Sequence, residues 1–227
     1  MPKSTCKLAK EHLQNGFTLI EMMISITLAT IAMSSMISVF VNNVKSNGDS
    51  ISQVHLNQEL RAVMDVMSRD IRRAGYWSNA VYGATSNPFQ TLAINASTNC
   101  ITYDYDTSGQ PGPTSSDEFG FRLTNNAVQI HKSGGTCSDS SNSSGWENIT
   151  DPNTIKITAL TFDNSSSYCE DLTARLNNCS VTNSGDILAT NYIINLTLTG
   201  ELKNDANVKL SLNETVSIPN PALSAAP

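Results

Sequence analysis

Charge is what this sequence has least of: Asp, Glu, Lys and Arg make up 15% of its 227 residues, and the formal net charge is −6. With few cations and an acidic balance, it lacks the general electrostatic attraction on which nucleic-acid binding rests. Histidine is scarce too, with His12, His55 and His131 widely separated, and the five cysteines form no C-x-x-C pair. The ligand spacing of a zinc site is therefore missing. No G-x-S-x-G, H-E-x-x-H, P-loop or dinucleotide fingerprint occurs, and no internal repeat is present. Nothing in the chain calls for an enzyme, a metal or a cofactor. Ser, Thr and Asn are abundant instead, a composition that suits an exported β-rich domain better than a cytosolic enzyme. The length allows one sizeable domain plus an N-terminal element.

A second absence is local. Met22–Val41 is a run of twenty residues with no charge, no Gly and no Pro. At ~1.5 Å per residue, a helix of that length spans the ~30 Å hydrocarbon core of a bilayer. Ser25, Thr27, Thr30, Ser34, Ser35 and Ser38 keep it only moderately apolar. That suits a helix which must leave lipid and pack against protein. Lys3, Lys7 and Lys10 precede it, a basic flank that keeps the N-terminus cytoplasmic and sends the rest across the membrane. An ordinary secretory signal would be cut after the apolar run, which would then be discarded. Glu21 argues against that fate, because a carboxylate within such a segment costs ~2.5–3.5 kcal/mol at the helix centre and usually has a partner or a function. If the chain is cut between Gly16 and Phe17, the new α-amine lies one helical turn from Glu21. In an assembly, the same carboxylate can neutralise the terminal amine of a neighbouring subunit. Removing residues 1–16 takes away Lys3, Lys7, Lys10 and Glu11, a net +2, so the remainder carries −8.

Gly16-Phe17-Thr18-Leu19-Ile20-Glu21 followed by this apolar run resembles the prepilin signature of type IV pilins and type II secretion pseudopilins. The resemblance implies a membrane peptidase that cuts after Gly16 and methylates Phe17, and a subunit-docking role for Glu21. Further on, Arg69-Asp70-Ile71-Arg72-Arg73-Ala74-Gly75-Tyr76-Trp77 is similar to the PilW-like group of minor pilins, as are Gly145–Pro152 and Ile157–Phe162. The group implies initiation or tip assembly of a type IV pilus. The partners it implies are other minor pilins and the major pilin, met through the N-terminal helix, and a tip adhesin. It also implies an inner-membrane stage before the fibre, with the head in the periplasm. The alternatives are a type II secretion pseudopilin and a pilus-associated adhesin or DNA-uptake subunit, the last opposed by the acidic charge.

Beyond Val41 the chain turns polar and then recovers a helical period, with Leu56, Leu60, Val63, Met67, Ile71 and Ala74 at steps of four and three. Arg69, Arg72 and Arg73 crowd the last turn, where cations suit the helix dipole, and Gly75 follows as a stop. Asn47-Gly48 is a place where this helix would melt or kink. After Gly75 the pattern is of strands: Thr91–Asn95, Cys100–Tyr105, Glu118–Thr124, Ala127–Lys132, Thr154–Asp163, Tyr192–Gly200 and Val208–Ile218. Asn125-Asn126 fits a tight hairpin, and Leu202–Asn207 fits a longer one. The expected fold is α+β and pilin-like, a long N-terminal helix packed on an antiparallel β-sheet head. Its parts are a leader (1–16), a transmembrane or filament-core helix (17–41), an amphipathic continuation (42–75), the head (76–218) and a mobile tail (219–227), with a Gly/Ser-rich loop at Ser133–Ser144.

Cys100, Cys137, Cys169 and Cys179 all fall in the head, where export favours two disulfides over buried thiols. Three pairings are possible. The short loop favours Cys169–Cys179, which leaves Cys100–Cys137. Asp104-Tyr-Asp106-Thr-Ser108-Gly109 imitates the start of a calcium loop, but Ser115 stands where the closing acid belongs, so the stretch reads as a solvated acidic turn. Tyr76, Trp77, Tyr103, Tyr105 and Trp146 read as core aromatics before they read as a recognition patch.

Overall fold

The computed structural model describes residues 16–80, 86–132, 134, 136–137, 145–180 and 183–226. Residues 1–15 of the expected leader, and all of the expected loop 133–144 except 134 and 136–137, lie outside these. The described chain forms one long α-helix, α1 (Leu19–Ile71), and eleven strands. It divides between Ser50 and Ile51 into two compact units.

The first unit is helix. Every described residue from Gly16 to Ser50 is exposed, and α1 is long and apolar enough to cross a membrane. The hydroxyls that dilute its hydropathy bond back to the helix. Ser25 Oγ donates to the Glu21 carbonyl at 2.7 Å, Thr27 to Ile24 at 2.8 Å and Thr30 to Thr27 at 2.9 Å. Ser34, Ser35 and Ser38 do the same with Thr30, Ala32 and Ser34. Satisfied in this way, they ask nothing of an apolar surrounding. The helix does not melt at Asn47-Gly48, since α1 runs through both residues. A glycine costs a helix only ~1 kcal/mol, which established turns on either side can carry.

In the second unit, α1 buries Leu56, Leu60, Val63, Met64, Met67 and Ile71. Its end tightens, with Arg73 N–H to the Asp70 carbonyl at 2.9 Å and Ala74 N–H to Ile71 at 3.0 Å. Gly75 then takes φ 74°, a left-handed stop that glycine alone adopts cheaply. β1 (Leu92–Asn95), β2 (Cys100–Asp104), β3 (Glu118–Thr124), β4 (Ala127–His131) and β5 (Trp146–Asn148) make a five-stranded antiparallel sheet in sequence order. Asn125 and Asn126 join β3 to β4 with φ 52° and 61°, the positive angles of a two-residue primed hairpin.

A second antiparallel sheet has the order β10-β9-β6, from β6 (Ile155–Asp163), β9 (Ile193–Leu202) and β10 (Asp205–Ser217). Its register on β6 slips between Ile157 and Ala159. That bulge keeps Ile155, Ile157, Leu160 and Phe162 buried although their spacing breaks strict alternation. These residues join the helical stripe and Ile101, Tyr103, Phe121, Val128, Ile194, Leu196, Leu198 and Val216 in one core. The fold is therefore α+β, a long helix against antiparallel sheets.

A third sheet, β11-β8-β7, is built from β7 (Tyr168–Asp171), β8 (Ile187–Asn191) and β11 (Ala222–Ala225). It corrects the expectation of a mobile tail at 219–227. β11 pairs with β8, Asn220 Nδ2 donates to the Ala74 carbonyl at 3.1 Å, and Ala226 N–H donates to Asp186 at 2.7 Å. Backbone groups that would otherwise need water are satisfied by the free edge of β8.

Candidate functional site

The helix begins with a reciprocal cap. Thr18 precedes the first helical residue, and its carbonyl accepts the first helical bond, from Met22 N–H, at 3.1 Å. Glu21 N–H donates to Thr18 Oγ1 at 3.3 Å, while Thr18 N–H and Oγ1 each reach Glu21 Oε2 at 3.4 Å. This is a capping box, in which two backbone donors at a helix start are satisfied by the two side chains. The bonds are longer than is usual for their kinds, so each is weak. The carboxylate also lies in the first turn, where the helix dipole favours negative charge. Within the single chain, then, Glu21 already has a partner that the charge argument alone does not anticipate. The signal was there to find, since Thr18-x-x-Glu21 ahead of an apolar run is the sequence pattern of such a box.

Gly16 and Phe17 sit just outside the helix, with Phe17 79% exposed. A Cβ added at Gly16 would meet nothing within 4 Å. The fold places no demand for glycine at this position. Two glycines of the head differ: a Cβ at Gly120 would lie 2.6 Å from the Ile101 carbonyl oxygen, and one at Gly200 would lie 2.9 Å from Leu60 Cδ2.

The head's candidate chemistry is self-satisfied. The basic cluster is neutralised residue by residue: Arg69 Nη2 lies 2.8 Å from Asp65, Arg72 lies 3.7 Å from Glu214, and Arg73 lies 3.5 Å from Asp70. Arg73 also stacks 4.1 Å over the Tyr105 ring. Asp70 accepts from the hydroxyls of Tyr103 at 2.5 Å and Tyr105 at 3.1 Å, which ties the end of α1 to β2. Burial first, and the Asp70 charge second, push both phenols above their ordinary range.

In the acidic turn, Asp106 accepts from the Ser78 hydroxyl and N–H, and from the N–H groups of Ser108 and Gly109 at 3.1 and 2.6 Å. The Ser78 hydroxyl is the main cause holding its carboxyl below the usual range, against the opposing effect of burial. Asp117 receives four bonds, from the N–H and hydroxyl of Thr107 and of Thr114, at 2.6–2.9 Å. Burial alone would raise its pKa, but those bonds prevail and hold it well below the usual range. Asp104 moves the other way, raised by burial and by the nearby charges of Glu118 and Asp117 against a bond from Thr91. Ser and Thr occupy the oxygens a cation would need, and among the described residues no three acids, histidines or cysteines converge.

Of the aromatics, Tyr103, Tyr105 and Trp146 are buried, while Tyr76 is 49% exposed and Trp77 half-buried. The expected disulfides are both present, Cys100–Cys137 and Cys169–Cys179, with Cα–Cα separations of 5.8 and 5.6 Å. All four cysteines lie in the second unit, so oxidation staples the head and leaves the helix start untouched.

What remains unexplained by the fold is the N-terminal constellation: an unforced glycine, an exposed Phe, a capped Glu and an uncovered apolar helix. Two family models match the chain. Residues 12–37 match the prokaryotic N-terminal methylation motif, and residues 49–218 match prepilin peptidase-dependent protein B. No curated protein and no solved structure matches it. The second model covers most of the chain and all but the last strand of the head, while the first covers Gly16, Phe17 and Glu21. The chain belongs to the prepilin peptidase-dependent protein B family.

Proposed function

We propose that this chain is a PilW-like minor pilin that takes part in initiating, or in building the tip of, a type IV pilus. A prepilin peptidase cuts between Gly16 and Phe17 and methylates the new amine. Until assembly, the Met22–Val41 segment of α1 anchors the protein in the inner membrane, with its basic leader cytoplasmic and its head in the periplasm. Extraction into the fibre exchanges lipid contacts for helix contacts with other minor pilins and the major pilin. Because lipid and filament core are alike apolar, packing and the charge pair drive that exchange, not new hydrophobic burial. Glu21 then trades its weak bonds to Thr18 for the terminal amine of a neighbouring subunit.

The observation that carries the reading is the glycine at position 16 which the fold does not require. Gly48 and Gly112 are equally unforced, but Gly16 alone of the three stands in register with Phe17 and Glu21 within the methylation motif, and an enzyme that reads it explains that. Replacing Gly16 with Leu therefore leaves an intact head on an uncleaved precursor, seen as a mass increase of the leader. Normal processing of that variant would overturn the assignment.

Glu21→Gln tests the docking step separately. Gln preserves a capping box but carries no charge. It is cleaved normally and enters fibres at least tenfold less often in sheared-pilus immunoblots; wild-type incorporation would remove the charge pair from the mechanism. Recovery of the protein in a secretion pseudopilus, and not in pili, would reassign it to the type II system.

A further inference from the structure

We infer that Thr18 is a positioning residue for the leader cleavage, acting through the start of α1. The inference rests on the Gly16–Phe17 cleavage proposed above. A peptide bond inside an α-helix has its carbonyl engaged and its backbone wound around the axis, so it cannot lie extended across a peptidase site. In this chain the bond to be cut is separated from the first helical residue by Thr18 alone, counting from Phe17. Just upstream stands Asn15-Gly16, a pair that weakens a helix without ending it, since α1 runs through the same pair at Asn47-Gly48.

The device that ends the helix is the capping box. Thr18 Oγ1 accepts from Glu21 N–H, the donor that a longer helix would direct to the Phe17 carbonyl four residues before it. Glu21 Oε2 accepts from Thr18 N–H, which in a longer helix would bond still further upstream. Both bonds replace helical ones, and together they make Leu19 the first helical residue. The Gly16 and Phe17 carbonyls are left outside the helix, and Phe17 is exposed. An apolar surrounding sharpens the effect, because N–H groups without water either find such a cap or propagate the helix to satisfy themselves.

The same two side chains thus serve two steps. Thr18 supplies the cap that presents the bond, and Glu21 supplies the cap's return bond and later the charge for docking. This separates their variants. Thr18→Val keeps the shape and the Glu21 charge but removes the cap. Thr18→Asn is an equally good cap with a different shape and no hydroxyl. Glu21→Gln keeps the box and removes the charge.

The test measures kcat/KM for full-length precursors with purified peptidase in detergent, together with backbone chemical shifts at Gly16 and Phe17. Thr18→Val is expected to be cleaved about fivefold more slowly, the effect of losing a typical N-cap, with the shifts of Gly16 and Phe17 moving toward helix. Thr18→Asn is expected to stay within about twofold of wild type, as an equivalent cap should. Cleavage of Thr18→Val at the wild-type rate would overturn the inference. So would a slow Thr18→Asn, which would mean that the peptidase contacts the hydroxyl directly. Neither result touches the cleavage reading, which stands or falls on Gly16→Leu: if that precursor is still cut at the same bond, both readings fail.

Discussion

At the scale of single residues, three acids of this molecule are each held by a local donor set. Glu21 is held by Thr18, Asp106 by Ser78, and Asp117 by Thr107 and Thr114. The pH consequence can be worked out for Asp117. Its pKa is depressed in the folded state from an ordinary value of 3.8, so its contribution is complete above that value and is lost as pH falls through and below it. Asp104, raised by burial and by its acidic neighbours, acts in the opposite sense, favouring the fold as it protonates. Asp117→Asn is therefore expected to lower the thermal midpoint of the head by several degrees at pH 7, and to lose that difference progressively as the pH falls below about 4. Asp104→Asn is expected to raise the midpoint at pH 7. Thermal unfolding followed by Trp77 and Trp146 fluorescence checks both; a pH-independent deficit for Asp117→Asn would show that its bonds, not its charge, set the stability.

At the scale of elements, the outcome is decided by how α1 meets the β10-β9-β6 sheet. Gly200, near the C-terminal end of β9, leaves room for Leu60, whose Cδ2 would stand 2.9 Å from a Cβ there, with Ile157 Cδ1 at 3.3 Å. Gly200→Ala is expected to cost ~1–3 kcal/mol as an overpacking change, and Leu60→Ala ~2–5 kcal/mol as a cavity. The double variant should lose less than the sum, because removing the leucine frees the space that the new methyl takes. Denaturant titration of the four proteins in detergent measures this, and strict additivity would mean that the two residues are not in contact. This contact is also a place where the sequence runs out. The stripe Leu56–Ala74 and the seven anticipated strands are legible because each carries a run of apolar or β-branched residues. β5, β7, β8 and β11, at three to five residues each, carry none that stands out. The strand near the C-terminus is Ala- and Ser-rich, and only its pairing with β8 makes it a strand. Thr18 is a different kind of omission. Its pattern is local and complete, but a carboxylate in an apolar run raises the question of charge before that of capping.

At the scale of the whole molecule, the chain joins two solutions to the same burial problem. The second unit has its own core, drawn from α1 and two sheets, and both disulfides. The first has none: Phe17, Leu19, Ile20 and the large apolar side chains through Val44 are all more than half exposed. Apolar surface on that scale demands lipid, detergent or other helices. The two units should therefore separate cleanly in their needs. A protein beginning at Ile51 is expected to be soluble and monomeric without detergent, with near-ultraviolet circular dichroism matching the full chain. Its unfolding should be a single cooperative transition, because every residue of the core cluster lies C-terminal to that point. The full chain should aggregate under the same conditions. Since both tryptophans are in the second unit, one fluorescence signal compares the two proteins directly. A shortened protein that is molten, or that needs detergent to stay dispersed, would mean that the helix before residue 51 completes the head's core.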